Sequence, residues 1–291
     1  LLLTFIYFIV GFLTTVNGQC QGPLQVAFLS EVTATRNFLA TLISFAFFMG
    51  YLLNSAKTGR LLNKIGYKKT LVRSMMVMVL ALAFYLASAI MAEYWGREGV
   101  RISQDFVPFG YFVFLLGAYL MGTSAAMLQV VINPYIVAYP LPGTQPVQRM
   151  NFTCAVNSFG TTIAPFFVTG VMFAGVSLES VSADQLTIPF LVMMLVIALT
   201  TFTTSKANLP DIAGTRDATN EEKSEEQSGS TKDKTSSVGT GKSPQRSIWS
   251  FRHLKYGVIT IFFYVGTEVG IGNNMNLHAM DLMGQGYDFS P

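Results

Sequence analysis

Side-chain amides lie inside two segments that are otherwise apolar enough to cross a membrane. Gln129 and Asn133 are one helical turn apart in the first segment, and Asn157 lies in the second. A buried amide without a partner costs roughly 4–8 kcal/mol in an alkane-like environment, so such groups are expected to face another helix or a water-filled cavity. Because amides both donate and accept hydrogen bonds, they suit a neutral ligand with many hydroxyl groups better than an ion. The pattern predicts a substrate-binding pathway for sugar-like solutes, with polar contacts between helices as the alternative.

A further set of amides lies in the first apolar segment. Asn17, Gln21 and Gln25 recur every four residues, which places them on one face of a helix. Asn17 and Gln21 are expected to bind the same solute, whereas Gln25 also fits the outer interface of the membrane. Pro134, directly after Asn133, frees a backbone carbonyl one turn earlier, as membrane helices tolerate where they line a cavity.

One carboxylate lies well inside a predicted span. Glu268 occurs in the last apolar segment, between Gly266 and Gly270. An ionisable side chain within a membrane segment predicts a proton or cation site, with a structural salt bridge as the alternative. No cofactor and no metal site are expected, and nothing in the sequence indicates nucleotide hydrolysis, so transport would be secondary.

The composition predicts an all-α integral membrane protein. Of the 291 residues, 51% are hydrophobic and only 12% are charged. Since about 20 apolar residues cross a bilayer as a helix, the sequence predicts seven spans, at residues 1–28, 38–56, 70–92, 108–138, 151–175, 185–205 and 253–280. The expected partners are the lipid bilayer and a small solute, without nucleic acid, and a monomer is expected.

Basic residues are distributed unevenly between the two sides of the membrane. Of the 19 Lys and Arg residues, six lie in 57–73, one is Arg149 and nine lie in 206–255. The three on the opposite side are Arg36, Arg97 and Arg101. By the positive-inside rule, the N-terminus and the connections after spans two, four and six are predicted to be cytoplasmic.

A polar stretch over 206–249 divides the chain. Gly, Ser, Thr, Lys and Glu dominate it, so it has too little apolar surface to fold by burial and suits a flexible cytoplasmic linker. The predicted domains are a six-helix bundle over 1–205, this linker, and the start of a second bundle over 250–291. Since the chain opens on Leu and holds one span of that second bundle, it is expected to be a fragment.

Glycine and basic residues recur between spans two and three. The residues in question are Gly59, Asn63, Gly66, Lys68 and Lys69. Glycine allows a tight turn, and the basic side chains hold the connection at the cytoplasmic face. We therefore expect a gating loop here rather than a ligand site.

These motifs together resemble a known family of carriers. Segment 59–69 resembles the signature between helices two and three of the major facilitator superfamily, with Asn63 in place of the usual Asp. Segments 129–135, 149–151 and 157–165 resemble the fucose:proton symporter family, in its glucose/galactose transporter branch. The resemblance implies the major facilitator fold, with twelve helices in two halves, a central sugar site and alternating access. This chain would hold the first half and helix seven.

The resemblance implies import of a hexose such as glucose, galactose or fucose across a bacterial inner membrane. An enzyme is not expected, because the sequence places no convergent group of His, Asp and Glu inside the spans. Proton-coupled fucose carriers have an acid in helix one and another in helix four, where this chain has Gly18 and Gln129. Glu268 is therefore the visible ion-coupling candidate, and coupling to H⁺, to Na⁺ or to neither stays open. The alternatives are a major facilitator carrier for another solute, such as a drug exporter, and a seven-helix receptor.

Overall fold

The structure of the protein is a computed structural model. It describes residues 1–20, 24, 27–29, 32, 36–95, 98–102, 105–139, 142–173, 184–209 and 250–284. Within these residues the helices are α1 (Leu2–Gln19), α2 (Arg36–Ile65), α3 (Tyr67–Trp95), α4 (Phe109–Ala138), α5 (Pro146–Phe167), α6 (Asp184–Lys206) and α7 (Arg252–Gly284). A short π-helical turn, Val168–Met172, continues α5.

Six described helices are long and apolar enough to cross a membrane. Their spans are Leu2–Gln19, Phe38–Ile65, Tyr67–Trp95, Phe109–Ala138, Pro146–Met172 and Thr187–Lys206. They confirm the first six predicted spans. The seventh is a helix, as predicted, but it is not among these six, so its passage through the membrane stays a prediction.

The connection between α2 and α3 is shorter than the predicted loop over 57–73. Both helices extend into this range and only Gly66 separates them, with a φ of 84°. Its N–H donates to the carbonyl of Leu62 at 3.0 Å, and its own carbonyl accepts the hydroxyl of Thr70 at 2.7 Å. Charged residues do not end a helix, whereas a glycine in the left-handed conformation does. The expectation of a loop here is therefore wrong, although Gly66 does make the tight turn.

A small β-hairpin lies between α3 and α4, where the sequence predicted only an external connection. Strand β1 (Gly99–Ile102) pairs antiparallel with β2 (Asp105–Pro108), with Gly99 opposite Pro108. Val107 is fully buried, so one face of the hairpin covers the end of the helical core.

The chain divides into two compact units, Leu1–Gly214 and Thr215–Pro291. In the first unit α4 is central and packs against α2 and α3, while α1 packs against α5 and α3 against α6. A Cβ atom at Gly122 of α4 would lie 1.9 Å from the carbonyl oxygen of Phe47 in α2, so the helix backbones touch there, as small residues allow in membranes. Residues 210–249, most of the predicted linker, lie outside the described residues, and the linker stays a prediction. In the second unit the structure describes α7.

Candidate functional site

Gln129 of α4 lies in a polar contact that joins three helices. Its Nε2 donates to the hydroxyl of Tyr51 in α2 across 3.4 Å, a long and therefore weak hydrogen bond. The Tyr51 hydroxyl also lies beside the hydroxyl of Thr14 in α1. All three side chains are half-buried.

Asn133 and Asn157 meet the same part of α1 at Tyr7. The Asn133 amide lies beside the Tyr7 hydroxyl. Asn157 Nδ2 donates to the backbone carbonyl of Tyr7 at 2.7 Å. The structure thus brings together three of the predicted substrate-binding residues. We call the combined set the polar cluster: Tyr7, Thr14, Tyr51, Gln129, Asn133 and Asn157.

Two acceptors in the polar cluster have no hydrogen-bond partner. Asn133 Oδ1 and Thr14 Oγ1 are buried, and neither makes a hydrogen bond in good geometry, since the Thr14 hydroxyl lies near that of Tyr51 without meeting the geometry of a hydrogen bond. They are two of the four such side-chain atoms among the described residues. Leaving a buried polar atom unpaired costs about 1–3 kcal/mol. A ligand that donates hydrogen bonds would remove this cost.

The chemistry of the polar cluster is that of uncharged groups. Amides and hydroxyls supply both donors and acceptors at neutral pH, but no formal charge. Phe47 and Phe48 lie beside Tyr51, with ring centroids at 5.4 and 6.1 Å from its own. Such an arrangement can form hydrogen bonds with the hydroxyl groups of a neutral solute, and the two phenylalanine rings provide an apolar surface close by.

Asn17, also predicted to bind substrate, is not brought into the polar cluster. Its side chain is 5% exposed, and its Oδ1 accepts a hydrogen bond from the hydroxyl of Tyr85 in α3. It lines a cavity of about 10 Å³ among mainly apolar side chains of α1, α3, α4 and α6. That volume holds about one water molecule. This geometry favours a contact between α1 and α3 over binding of a sugar.

The other predicted functional residues lie elsewhere. Gln21 and Gln25 lie outside the described residues. Glu268 is exposed on α7, in the second unit, and its coupling role stays a prediction. In the predicted gating segment, Asn63 and Lys69 are exposed, and Gly59 and Lys68 are half-buried. Gating by this segment also stays a prediction.

Three members of the polar cluster were not predicted from the sequence. Tyr7, Thr14 and Tyr51 are of residue types that membrane helices tolerate widely, so their presence carries little signal. A spacing of seven residues puts Tyr7 and Thr14 on the same face of α1. That spacing was the available clue.

Comparison with known proteins gives relatives along most of the chain, although no family model matches it. The chain is 28% identical to a glucose/galactose transporter of Brucella abortus, 25% to a putative glucose/galactose transporter of Helicobacter pylori and 22% to the L-fucose-proton symporter of Escherichia coli. Each alignment covers 93% of this chain. The resemblance predicted from the motifs is confirmed.

The fold is shared with a solved carrier. A crystal structure of the fucose:proton symporter of Escherichia coli matches this chain with a TM-score of 0.52 at 19% identity. The match covers 72% of this chain and 48% of the symporter chain. This likeness confirms the predicted major facilitator fold, and with the six apolar helices it identifies the chain as an integral membrane protein. The alignments cover 56–58% of the curated relatives, so the chain spans a little over half their length.

Proposed function

We propose that this chain belongs to a secondary transporter that imports a hexose across the bacterial inner membrane by alternating access, driven by a cation. The polar cluster carries the proposal, because it gathers uncharged donors and acceptors from α1, α2, α4 and α5 within a membrane bundle. The relatives named as glucose/galactose transporters and as an L-fucose-proton symporter support a sugar as the solute. In this proposal the protein moves its solute unchanged and is not an enzyme.

Hexose binding would use the atoms that the fold leaves unpaired. A sugar hydroxyl can donate to Asn133 Oδ1 and another to Thr14 Oγ1, which have no partner of their own. The weakly bonded Gln129 amide can donate to a sugar oxygen with little loss, since its bond to Tyr51 is already long. Sugar binding would drive transport only if these contacts differ between the two access states.

The test is hexose binding and uptake by the full-length protein carrying Gln129→Leu or Asn133→Leu. Each substitution leaves sugar hydroxyls unpaired at about 1–3 kcal/mol per bond, so affinity should fall roughly tenfold or more. Asn208→Leu is the matched control, because Asn208 is an exposed amide beyond the end of α6. Membrane levels of all three variants are measured by quantitative blotting.

Unchanged affinity in both Gln129→Leu and Asn133→Leu would leave the polar cluster as a set of contacts between helices. Transport of lipophilic cations in preference to hexoses would favour the alternative of a drug exporter.

A further inference from the structure

The guanidinium of Arg149, in the first turn of α5, ties the end of α4 to the start of α5. Its Nε donates to the carbonyl of Ile136 at 3.0 Å, and its Nη2 donates to that of Val137 at 2.8 Å. Its Nη1 donates to the carbonyl and the hydroxyl of Thr144, each at 2.9 Å. The planar fork of arginine holds these donors in fixed directions, which a lysine ammonium does not reproduce. One side chain therefore fixes the end of α4 and the connection that follows it.

These hydrogen bonds satisfy groups that a helix end leaves unpaired. Ile136 and Val137 belong to the last turn of α4, whose final carbonyls have no partner within the helix. The negative end of the α4 dipole also favours a cation there. At the start of its own helix the charge of Arg149 is unfavourable by the same argument. The contact with α4 therefore accounts for an arginine at this position.

Few other contacts hold these two helix ends together. α4 packs mainly against α2 and α3, and α5 packs mainly against α1, whereas α4 and α5 share few contacts. On its other side the end of α4 is closely packed, since Tyr135 is fully buried and its ring centroid lies 5.3 Å from that of Tyr67 in α3. On the side that faces α5, the hydrogen bonds of Arg149 tie the end of α4 to the start of α5.

The last turn of α4, which Arg149 contacts, follows directly after Asn133 of the polar cluster. Asn133 lies one turn before Ile136 and Val137, and Pro134 follows it within α4. Proline has no N–H, so the backbone hydrogen bond to the carbonyl one turn earlier is missing. Helices bend most readily where such a bond is lost. The direction of the Asn133 amide therefore depends on how the last turn of α4 is held.

We infer that Arg149 is a positioning residue: it holds the end of α4 so that the Asn133 amide is aimed at Tyr7 and at the bound solute. This inference rests on the proposed function, because the solute is the hexose proposed above. Arg149 itself does not touch the solute and acts through Asn133.

A double-mutant cycle on hexose affinity tests the inference in the full-length protein reconstituted in vesicles. Arg149→Lys keeps the charge but loses the fork, and it should weaken hexose binding about fivefold, a typical coupling between linked residues. In an Asn133→Ala background the same change should have no further effect. Arg73→Lys, an exposed arginine of α3, is the control and should leave affinity unchanged. If the losses of hexose affinity in Arg149→Lys and Asn133→Ala multiply in the double variant, the two residues act independently and the inference is overturned. Wild-type affinity in Arg149→Lys would also overturn it.

A second measurement does not depend on the sugar. Spin labels on cysteines at Ala138 and Ala155, both exposed, report the distance between α4 and α5 in a variant without native cysteines. Arg149→Lys should broaden the distance distribution, and Arg73→Lys should not. An unchanged distribution in Arg149→Lys would overturn the inference. If the wild-type protein binds no hexose, the proposed function fails, and this distance still decides whether Arg149 fixes the end of α4.

Discussion

The contact between α1 and α5 has no room for a side chain at Gly11. A Cβ atom there would lie 2.5 Å from the backbone oxygen of Asn157 and 2.7 Å from its Nδ2. The amide group could rotate away, but the backbone oxygen could not. Gly11→Ala therefore requires α1 and α5 to separate by about 1 Å before ordinary van der Waals distances are restored.

Such a separation affects two energies. Overpacking in a tight core costs about 1–3 kcal/mol. The hydrogen bond from Asn157 Nδ2 to the Tyr7 carbonyl, now 2.7 Å long, would be lost, at about 0.6–2 kcal/mol for a bond between membrane helices. We expect Gly11→Ala to destabilise the protein by about 2–5 kcal/mol in total.

Reversible unfolding of the purified full-length protein in mixed micelles measures this loss. Gly59→Ala is the matched control, because a Cβ atom at Gly59 in α2 would meet no atom within 4 Å. Alanine is about 1 kcal/mol better than glycine in a helix, so the control should be as stable as the wild type or slightly more stable. If Gly11→Ala unfolds at the same denaturant concentration as Gly59→Ala, the close contact between α1 and α5 is refuted.

Two further predictions concern topology and coupling. A membrane-impermeant thiol reagent added to intact cells should label a cysteine at Glu98, which lies beside the β-hairpin, and spare one at Ser230; the reverse labelling would invert the predicted orientation. Glu268→Gln should abolish uphill accumulation of labelled hexose in vesicles with an imposed proton or sodium gradient, while exchange of sugar persists, because the variant can no longer carry the charge that binds the ion. Wild-type accumulation in Glu268→Gln would place the coupling site elsewhere.

The helices of the first unit were predictable because bilayer thickness sets the length of an apolar run. Span four was predicted at 108–138, and α4 is Phe109–Ala138; span six was predicted at 185–205, and α6 is Asp184–Lys206. Helix ends outside the hydrocarbon region follow other rules. α2 continues to Ile65 through basic residues, and it ends where Gly66 takes the left-handed conformation. Hydropathy does not distinguish a basic residue within a helix from a basic residue in a loop.

The members of the polar cluster were predictable only where their residue type is unusual in a membrane. Gln129 and Asn133 stand out in an apolar segment because an amide there needs a partner. Tyr51 and Thr14 do not, since a tyrosine can face several environments and a threonine hydroxyl can bond within its own helix. Their contribution depends on how α1, α2 and α4 pack, and periodicity along one helix does not contain that information.

Whether an amide binds a ligand or another helix is decided by which of its polar atoms are already paired. Both roles turn the amide away from lipid, so their sequence patterns are the same. The oxygen of Asn17 is engaged by Tyr85, and the nitrogen of Asn157 by the backbone of α1. Asn133 Oδ1 is buried and unpaired, and Gln129 makes only a long bond. The two amides of α4 therefore have the most hydrogen-bonding capacity left for a solute, and Asn157 serves first to hold α5 against α1 at the position where Gly11 allows it.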